Sequence, residues 1–180
     1  DIFLFFCSAH AVRDDTVVGK ITAADDITRS RCRYRNAGLI EKKDIVIRNP
    51  FSTRPYQHVL EPVIAYLMIA KEQYEDAKYQ GYYNVGPDET DCVTTGDLVD
   101  LFVEKWGEGM KWVNQYDGGP HEANFLKLDC SKLKTTFGWK PRWTVFEALD
   151  KTVEWTKVYF AGESVADIMD KQIKEFLNRK

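Results

Sequence analysis

A chain of 180 residues with 25 basic and 28 acidic side chains, formally −3, lacks the basic excess that general binding to nucleic acid or an anionic membrane surface requires. Its 44% hydrophobic content, with five Trp, nine Tyr and ten Phe, excludes disorder and fits one domain or at most two small ones. The four cysteines (Cys7, Cys32, Cys92, Cys130) form no CxxC pair and no zinc-type spacing, so they read as reduced thiols of a cytoplasmic protein.

Residues 1–7 read as a buried strand or a remnant of one. The apolar run from Ile2 to Phe6 is too short to span a membrane and lacks the basic flank of a secretory signal. The first residue is Asp1 rather than Met, which fits the continuation of something longer. A second strand is expected over residues 12–19, interrupted by Arg13, Asp14 and Asp15. Periodicity then fails over residues 22–36. The alternating charges of Arg29, Arg31, Arg33 and Arg35 suit a solvated or poorly folded stretch better than a nucleic-acid patch.

Order returns at Asp44. The β-branched triplet Ile45-Val46-Ile47 predicts a strand, and Asn49-Pro50 a turn after it. A helix is expected over residues 62–76, with Val63, Ile64, Tyr66, Leu67, Ala70 and Tyr74 as one apolar stripe. A short strand over residues 82–85 closes at Gly86-Pro87. Thr94 as N-cap, with Asp97 three residues on, opens a helix over residues 98–106. Residues 111–113 suggest another strand. Asp129 caps a short helix that ends at Gly138, where glycine suits the left-handed position. Thr144-x-x-Glu147 is a capping box for a helix running to about residue 160. Ser164 and Asp167 start the last helix, which carries Val165, Ile168, Ile173, Phe176 and Leu177. Alternating strand and helix indicate an α/β chain.

Catalytic signatures are sparse. Gly107-x-Gly109 follows a helix and has Trp112 where a third glycine belongs, so it is no dinucleotide cradle. His121-Glu122 begins like a zinc motif, but Phe125 breaks it, and with three histidines in all no metal site is expected. Tyr74 and Lys78 have the YxxxK spacing of a tyrosine–lysine catalytic pair. Tyr74, however, closes an apolar stripe and Lys78 lies beyond Asp76, so a chance match is the better reading.

The segment from Asp44 to Pro62, DIVIRNPFSTRPYQHVLEP, closely resembles a stretch of the CDP-glucose 4,6-dehydratases. Tyr83-Asn-Val-Gly-Pro87, Lys105-Trp-Gly-Glu-Gly109, the run from Pro120 to Lys132 and Phe137-Gly-Trp-Lys-Pro-Arg-Trp143 resemble the same family in the same order. Its members are extended short-chain dehydrogenase/reductases. They oxidise a sugar at C4 with bound NAD, eliminate water across C5 and C6, and return the hydride at C6.

The resemblance implies the C-terminal nucleotide-sugar-binding lobe of such a protein, residues 41–180. Residues 1–40 would be a divergent remnant carrying one or two Rossmann strands, with most of the parallel sheet absent. It further implies that Arg54, held by Pro55, grips the diphosphate, since a guanidinium can engage two phosphate oxygens at once. Val46, Ile47 and Arg48 would face the base through their backbone. His121 and Glu122 would lie where the family closes over the nucleotide, Glu122 on a ribose or base. The alternatives are Arg54 paired with Glu61, Arg48 structural, and His121-Glu122 an ordinary loop pair. Gln57 and His58 are expected to organise the helix start, and Trp139 and Trp143 to sit in the core.

No cofactor is expected in this chain alone; NAD belongs to the resembled full-length family. The expected partner is a CDP-glucose-like nucleotide-sugar, together with either a separate Rossmann-half chain or self-association. The resemblance implies a truncated or split dehydratase, not expected to be competent alone. The alternatives are a non-catalytic nucleotide-sugar-binding or interaction module, and a complete enzyme using unrecognised residues.

Overall fold

The computed structural model describes residues 10–12, 44–115 and 124–179; the expectations for residues 1–9 and 13–43, including the boundary near residue 40, lie outside them. Among the described residues, six three-residue strands pair two by two. Strand β1 (His10–Val12) runs antiparallel to β4 (Tyr83–Val85), and β3 (Thr53–Pro55) antiparallel to β5 (Cys92–Thr94). Strand β2 (Ile45–Ile47) runs parallel to β6 (Trp112–Asn114). The helices are α1 (Leu60–Glu75), α2 (Thr95–Trp106), α3 (Ser131–Phe137), α4 (Val145–Ala161) and α5 (Val165–Asn178). The chain is mixed α/β with short parallel pieces, as the fold-class expectation required.

Two apolar clusters hold these elements. In the first, Ile45 and Ile47 turn inward from β2 onto Leu98, Val99, Phe102 and Trp106 of α2 and Val145, Ala148, Leu149 and Val153 of α4. Val46, between the two isoleucines, points outward, which is the period-two alternation of a strand buried on one face. In the second cluster, Ala65 and Ile69 of α1 pack on Tyr83 and Val85 of β4, Leu133 of α3, and Trp139. Each large side chain withdrawn from water in these clusters contributes about 1.5–3 kcal/mol. Helix α5 lies on α4, where Trp143 meets Phe176 edge-on with ring centroids 4.9 Å apart. Both Trp139 and Trp143 are buried, as expected.

Local signals set the helix ends. Capping boxes form at Thr94/Asp97 and Thr144/Glu147, and the Ser164 hydroxyl accepts the Asp167 N–H. Gly138 ends α3 at φ 64°, a left-handed turn that a side chain would strain.

Three expectations need correction. Helix α1 starts at Leu60, not at residue 62. Proline lacks an N–H that the first helical turn leaves unpaired anyway, so Pro62 does not delay the start. Of the expected apolar stripe, Val63, Leu67, Ala70 and Tyr74 face out, while Ile64 and Tyr66 are half-buried and Tyr66 packs against the second cluster. The buried positions are Glu61, Pro62, Ala65 and Ile69, while Val63, Leu67 and Tyr74 are exposed. Apolar periodicity cannot tell which of two faces a neighbour will cover, and here Ala65 and Ile69 are the positions that meet the second cluster. Strands β3 and β5 were not anticipated, because Thr53-Arg54-Pro55 and Cys92-Val93-Thr94 lack the alternation that marks a half-buried strand.

Candidate functional site

Strand β2 has two different edges. The Ile45 N–H donates to the Lys111 carbonyl and the Ile47 carbonyl accepts the Gln115 N–H, both at 2.9 Å, so these two residues turn their backbone toward β6. Alternation along the strand turns the N–H and C=O of Val46 to the opposite edge. Among the described residues no strand pairs with that edge. Val46 therefore fits the expectation of a strand offering backbone groups to a base. Ile47 fits it poorly: its side chain is core and its carbonyl is taken by Gln115. Arg48 follows at the strand end, half-buried.

Arg54 is central in β3, opposite Val93, and its Nη1 donates to the Thr53 carbonyl at 2.8 Å. On the other edge of β3, the Thr53 N–H donates to the Asn124 carbonyl at 2.8 Å and the Leu126 N–H to the Thr53 carbonyl at 3.2 Å. A parallel bridge between Thr53 and Phe125 results. The stretch 116–123, which contains His121 and Glu122, lies outside the described residues. Its flanks do not. Gln115 is fastened to the end of β2, and Asn124 to β3 beside Arg54. The topology therefore brings the flanks of that stretch to the two segments that carry Val46, Arg48 and Arg54. Phe51 and Phe125 are both exposed, at 76% and 63%.

A buried polar hub holds the turn that leads into β3. Ser52 Oγ and Tyr56 OH lie 2.9 and 2.8 Å from Thr95 Oγ1. The N–H groups of Thr95 and Gly96 donate to the Ser52 and Pro50 carbonyls at 2.9 and 2.8 Å. The unpaired N–H groups that begin α2 are thus satisfied by the loop that presents Arg54. Sequence reasoning missed this hub, because residues 43 positions apart in sequence carry no local signal of their contact.

Arg54 does not pair with Glu61. Glu61 Oε1 instead accepts the N–H groups of Arg142 and Trp143, each at 2.8 Å, and fastens the start of α1 to the entry of α4. Burial raises its pKa to about 7, against the lowering effect of those two hydrogen bonds and of the Arg142 and Arg179 charges. His58, also buried, accepts the Leu60 N–H at Nδ1 at 3.2 Å. Burial, aided by the Lys151 charge, lowers its pKa to about 4 and keeps it neutral. Gln57 donates to the Val85 carbonyl at 3.4 Å. His58 thus organises the helix start, as expected, whereas Gln57 ties the preceding segment to β4.

Tyr74 and Lys78 do not form a catalytic pair. Tyr74 is 93% exposed at the end of α1, while Lys78 lies in the following turn, 2.7 Å from Asp76 and over the Tyr79 ring. Gly107, at φ 74°, closes α2, whereas a dinucleotide cradle would begin a helix, so these glycines do not fit NAD. Among the described residues no group of three or more His, Cys, Asp or Glu side chains is arranged to hold a metal, and no helix is long and apolar enough to cross a membrane.

No protein-family model matches the chain. CDP-glucose 4,6-dehydratase of Salmonella typhimurium is 39% identical over 137 residues, which are 76% of this chain and 38% of that protein. The crystal structure of a dTDP-glucose 4,6-dehydratase from Bacillus anthracis in complex with NAD superposes with a TM-score of 0.51 at 17% identity. That superposition covers 72% of this chain and 39% of the other, and shows the fold. The chain thus spans roughly two-fifths of the length of each relative.

Proposed function

From a chain that is kin to the CDP-glucose 4,6-dehydratases over 76% of its length, we propose a nucleotide-sugar-binding lobe of a dehydratase of deoxysugar biosynthesis, not competent for catalysis alone. One observation carries the reading. The flanks of residues 116–123 are fastened to β2 beside Arg48 and to β3 beside Arg54, so the segments that resemble the family's nucleotide-contacting motifs are neighbours. Arg54 grips the diphosphate, its backbone fixed by Pro55 and by strand pairing on both edges of β3. Val46 offers its backbone to the base, with Arg48 at the strand end, and His121 and Glu122 complete the nucleotide contacts. This reading assigns oxidation at C4 and elimination across C5 and C6 to residues outside this chain.

Titration calorimetry with CDP-glucose tests the assignment of Arg54. A bidentate, charge-assisted contact is worth about 1.5–3 kcal/mol, so Arg54→Ala should weaken binding roughly ten- to hundred-fold, and Arg54→Lys less. Equal affinity for wild type and Arg54→Ala would place the diphosphate elsewhere.

A further inference from the structure

Strand β3 has a neighbour on each edge, and each neighbour leads to a cysteine. On one edge, antiparallel pairing sets Cys92, the first residue of β5, opposite Pro55. On the other, the parallel bridge between Thr53 and Phe125 directs the chain past Lys127 to Cys130, just before α3. Both neighbours therefore reach the Pro55 end of β3. There the segment after β4 gathers the two thiols. The Cys92 thiol donates to the Asp88 carbonyl at 3.8 Å, the Asp88 carboxylate pairs with Lys134 of α3, and the Gly86 N–H donates to the Cys130 thiol. Asn84 Nδ2 donates to the Asp129 carbonyl at 3.0 Å, which fastens the residue before Cys130 to β4. Cys92 is half-buried and Cys130 buried. They are near enough that an ionised Cys92 raises the pKa of Cys130.

We propose that Cys92 and Cys130 form a reversible disulfide that closes a clasp around β3, with a low-molecular-weight disulfide such as glutathione disulfide as the oxidant. The Cys92 thiolate, the more accessible of the two, attacks one sulfur of the oxidant, forms a mixed disulfide and releases one glutathione thiolate. The Cys130 thiolate then attacks Cys92 Sγ, which forms the bond between the two residues and releases the second glutathione thiolate. Two protein thiols are oxidised, one external disulfide is reduced, and the two thiol protons pass through solvent to the released thiolates. Burial suits Cys130 to the second step, because it shields the thiol from an external oxidant but not from a neighbour held by the same segment. Burial raises the pKa of both thiols, against the lowering charges of Lys127 near Cys92 and Lys134 near Cys130. Exchange is therefore slow at neutral pH and quickens as pH rises. The bond ties together the two flanks of the strand that carries Arg54, whatever ligand that strand holds.

Peptide mapping by mass spectrometry tests this on the full chain, incubated with glutathione disulfide at mildly alkaline pH and digested without reduction. The folded protein should lose the Cys92 and Cys130 thiols together and yield a peptide pair joined through them, undone by dithiothreitol. Cys130→Ser should stop at glutathione on Cys92, and Cys92→Ser should leave Cys130 as a thiol. Hydrogen exchange in the peptides covering β3 and β5 should slow several-fold on oxidation and recover on reduction. Wild type halted at the mixed disulfide would overturn the proposal, as would pairing of Cys92 or Cys130 with Cys7, Cys32 or a second copy. So would an unmodified Cys92 under conditions that modify the urea-unfolded chain. A linked pair that forms no faster in the folded chain than in urea would show that the fold does not bring the thiols together, and unchanged exchange in β3 would refute the clasp.

Discussion

At the second residue of α1, Glu61 has its carboxylate out of water, with Oε1 shared by two backbone N–H groups from the entry of α4. Oε2 is buried with no hydrogen-bond partner among the described residues. Four residues of chain thus place a reluctant anion next to a reluctant cation, because His58 packs edge-on against Trp143 with ring centroids 4.8 Å apart. Their pH dependences oppose each other. The folded pKa of Glu61, about 7, is above its ordinary 4.5, so its contribution is full below pH 4.5 and is lost as pH rises through 7. The folded pKa of His58, about 4, is below 6.5, so its contribution is present above pH 6.5 and is lost as pH falls through 4. Between pH 4.5 and 6.5 the two slopes cancel. Glu61→Gln keeps an oxygen for both N–H groups but removes the titration, leaving stability to rise with pH by up to about 1.4 kcal/mol per unit in that window. Urea midpoints for wild type and variant at pH 5 and 6 read this directly, and parallel profiles would refute it. Glu61→Ala should instead cost about 2–4 kcal/mol at either pH, because it strands two buried N–H donors.

Strand β3 takes its position from the start of α2, through the Ser52–Thr95–Tyr56 hub and the bond from Gly96 to Pro50. A Cβ at Gly96 would lie 3.1 Å from the Pro50 carbonyl oxygen and 3.3 Å from its Cβ, tighter than side chains ordinarily pack. Gly96→Ala therefore sets a helix-propensity gain of at most about 1 kcal/mol against an overpacking cost of about 1–3 kcal/mol. The expected net effect is a lower denaturation midpoint, together with weaker nucleotide-sugar binding as the loop before Arg54 shifts. A stabilised Gly96→Ala with unchanged binding would show that the contact yields freely. Elements whose ends are written locally were legible in the sequence: the capping boxes at Thr94 and Thr144, the cap at Ser164, the glycine stop at 138 and the β2 triplet. Elements that exist by long-range pairing were not. Strands β3 and β5 depend on partners about 40 residues apart, and the outward turn of the α1 stripe on β4, Leu133 and Trp139, and no short pattern encodes those.

Among the described residues Glu61 ties α1, whose Ala65 and Ile69 belong to the second apolar cluster, to the entry of α4, whose inner face belongs to the first, and the candidate site is built from β2, which packs on the first cluster, and β3. The proposed placement of that site comes from the ordered motifs that resemble the CDP-glucose 4,6-dehydratases. Its internal division was not legible in the sequence: Ile47 belongs to the core while Val46 faces out, and only the pairing register with β6 decides which of two adjacent residues presents its backbone. The central claim is that this surface takes a nucleotide-sugar. The most direct test is a two-dimensional amide NMR titration of the full chain with CDP-glucose. The account predicts saturable shifts concentrated at Val46, Arg48, Arg54 and residues 124–126, reduced by Arg54→Ala and weaker with glucose 1-phosphate. No shifts at saturating ligand, or shifts confined to α4 and α5, would contradict it.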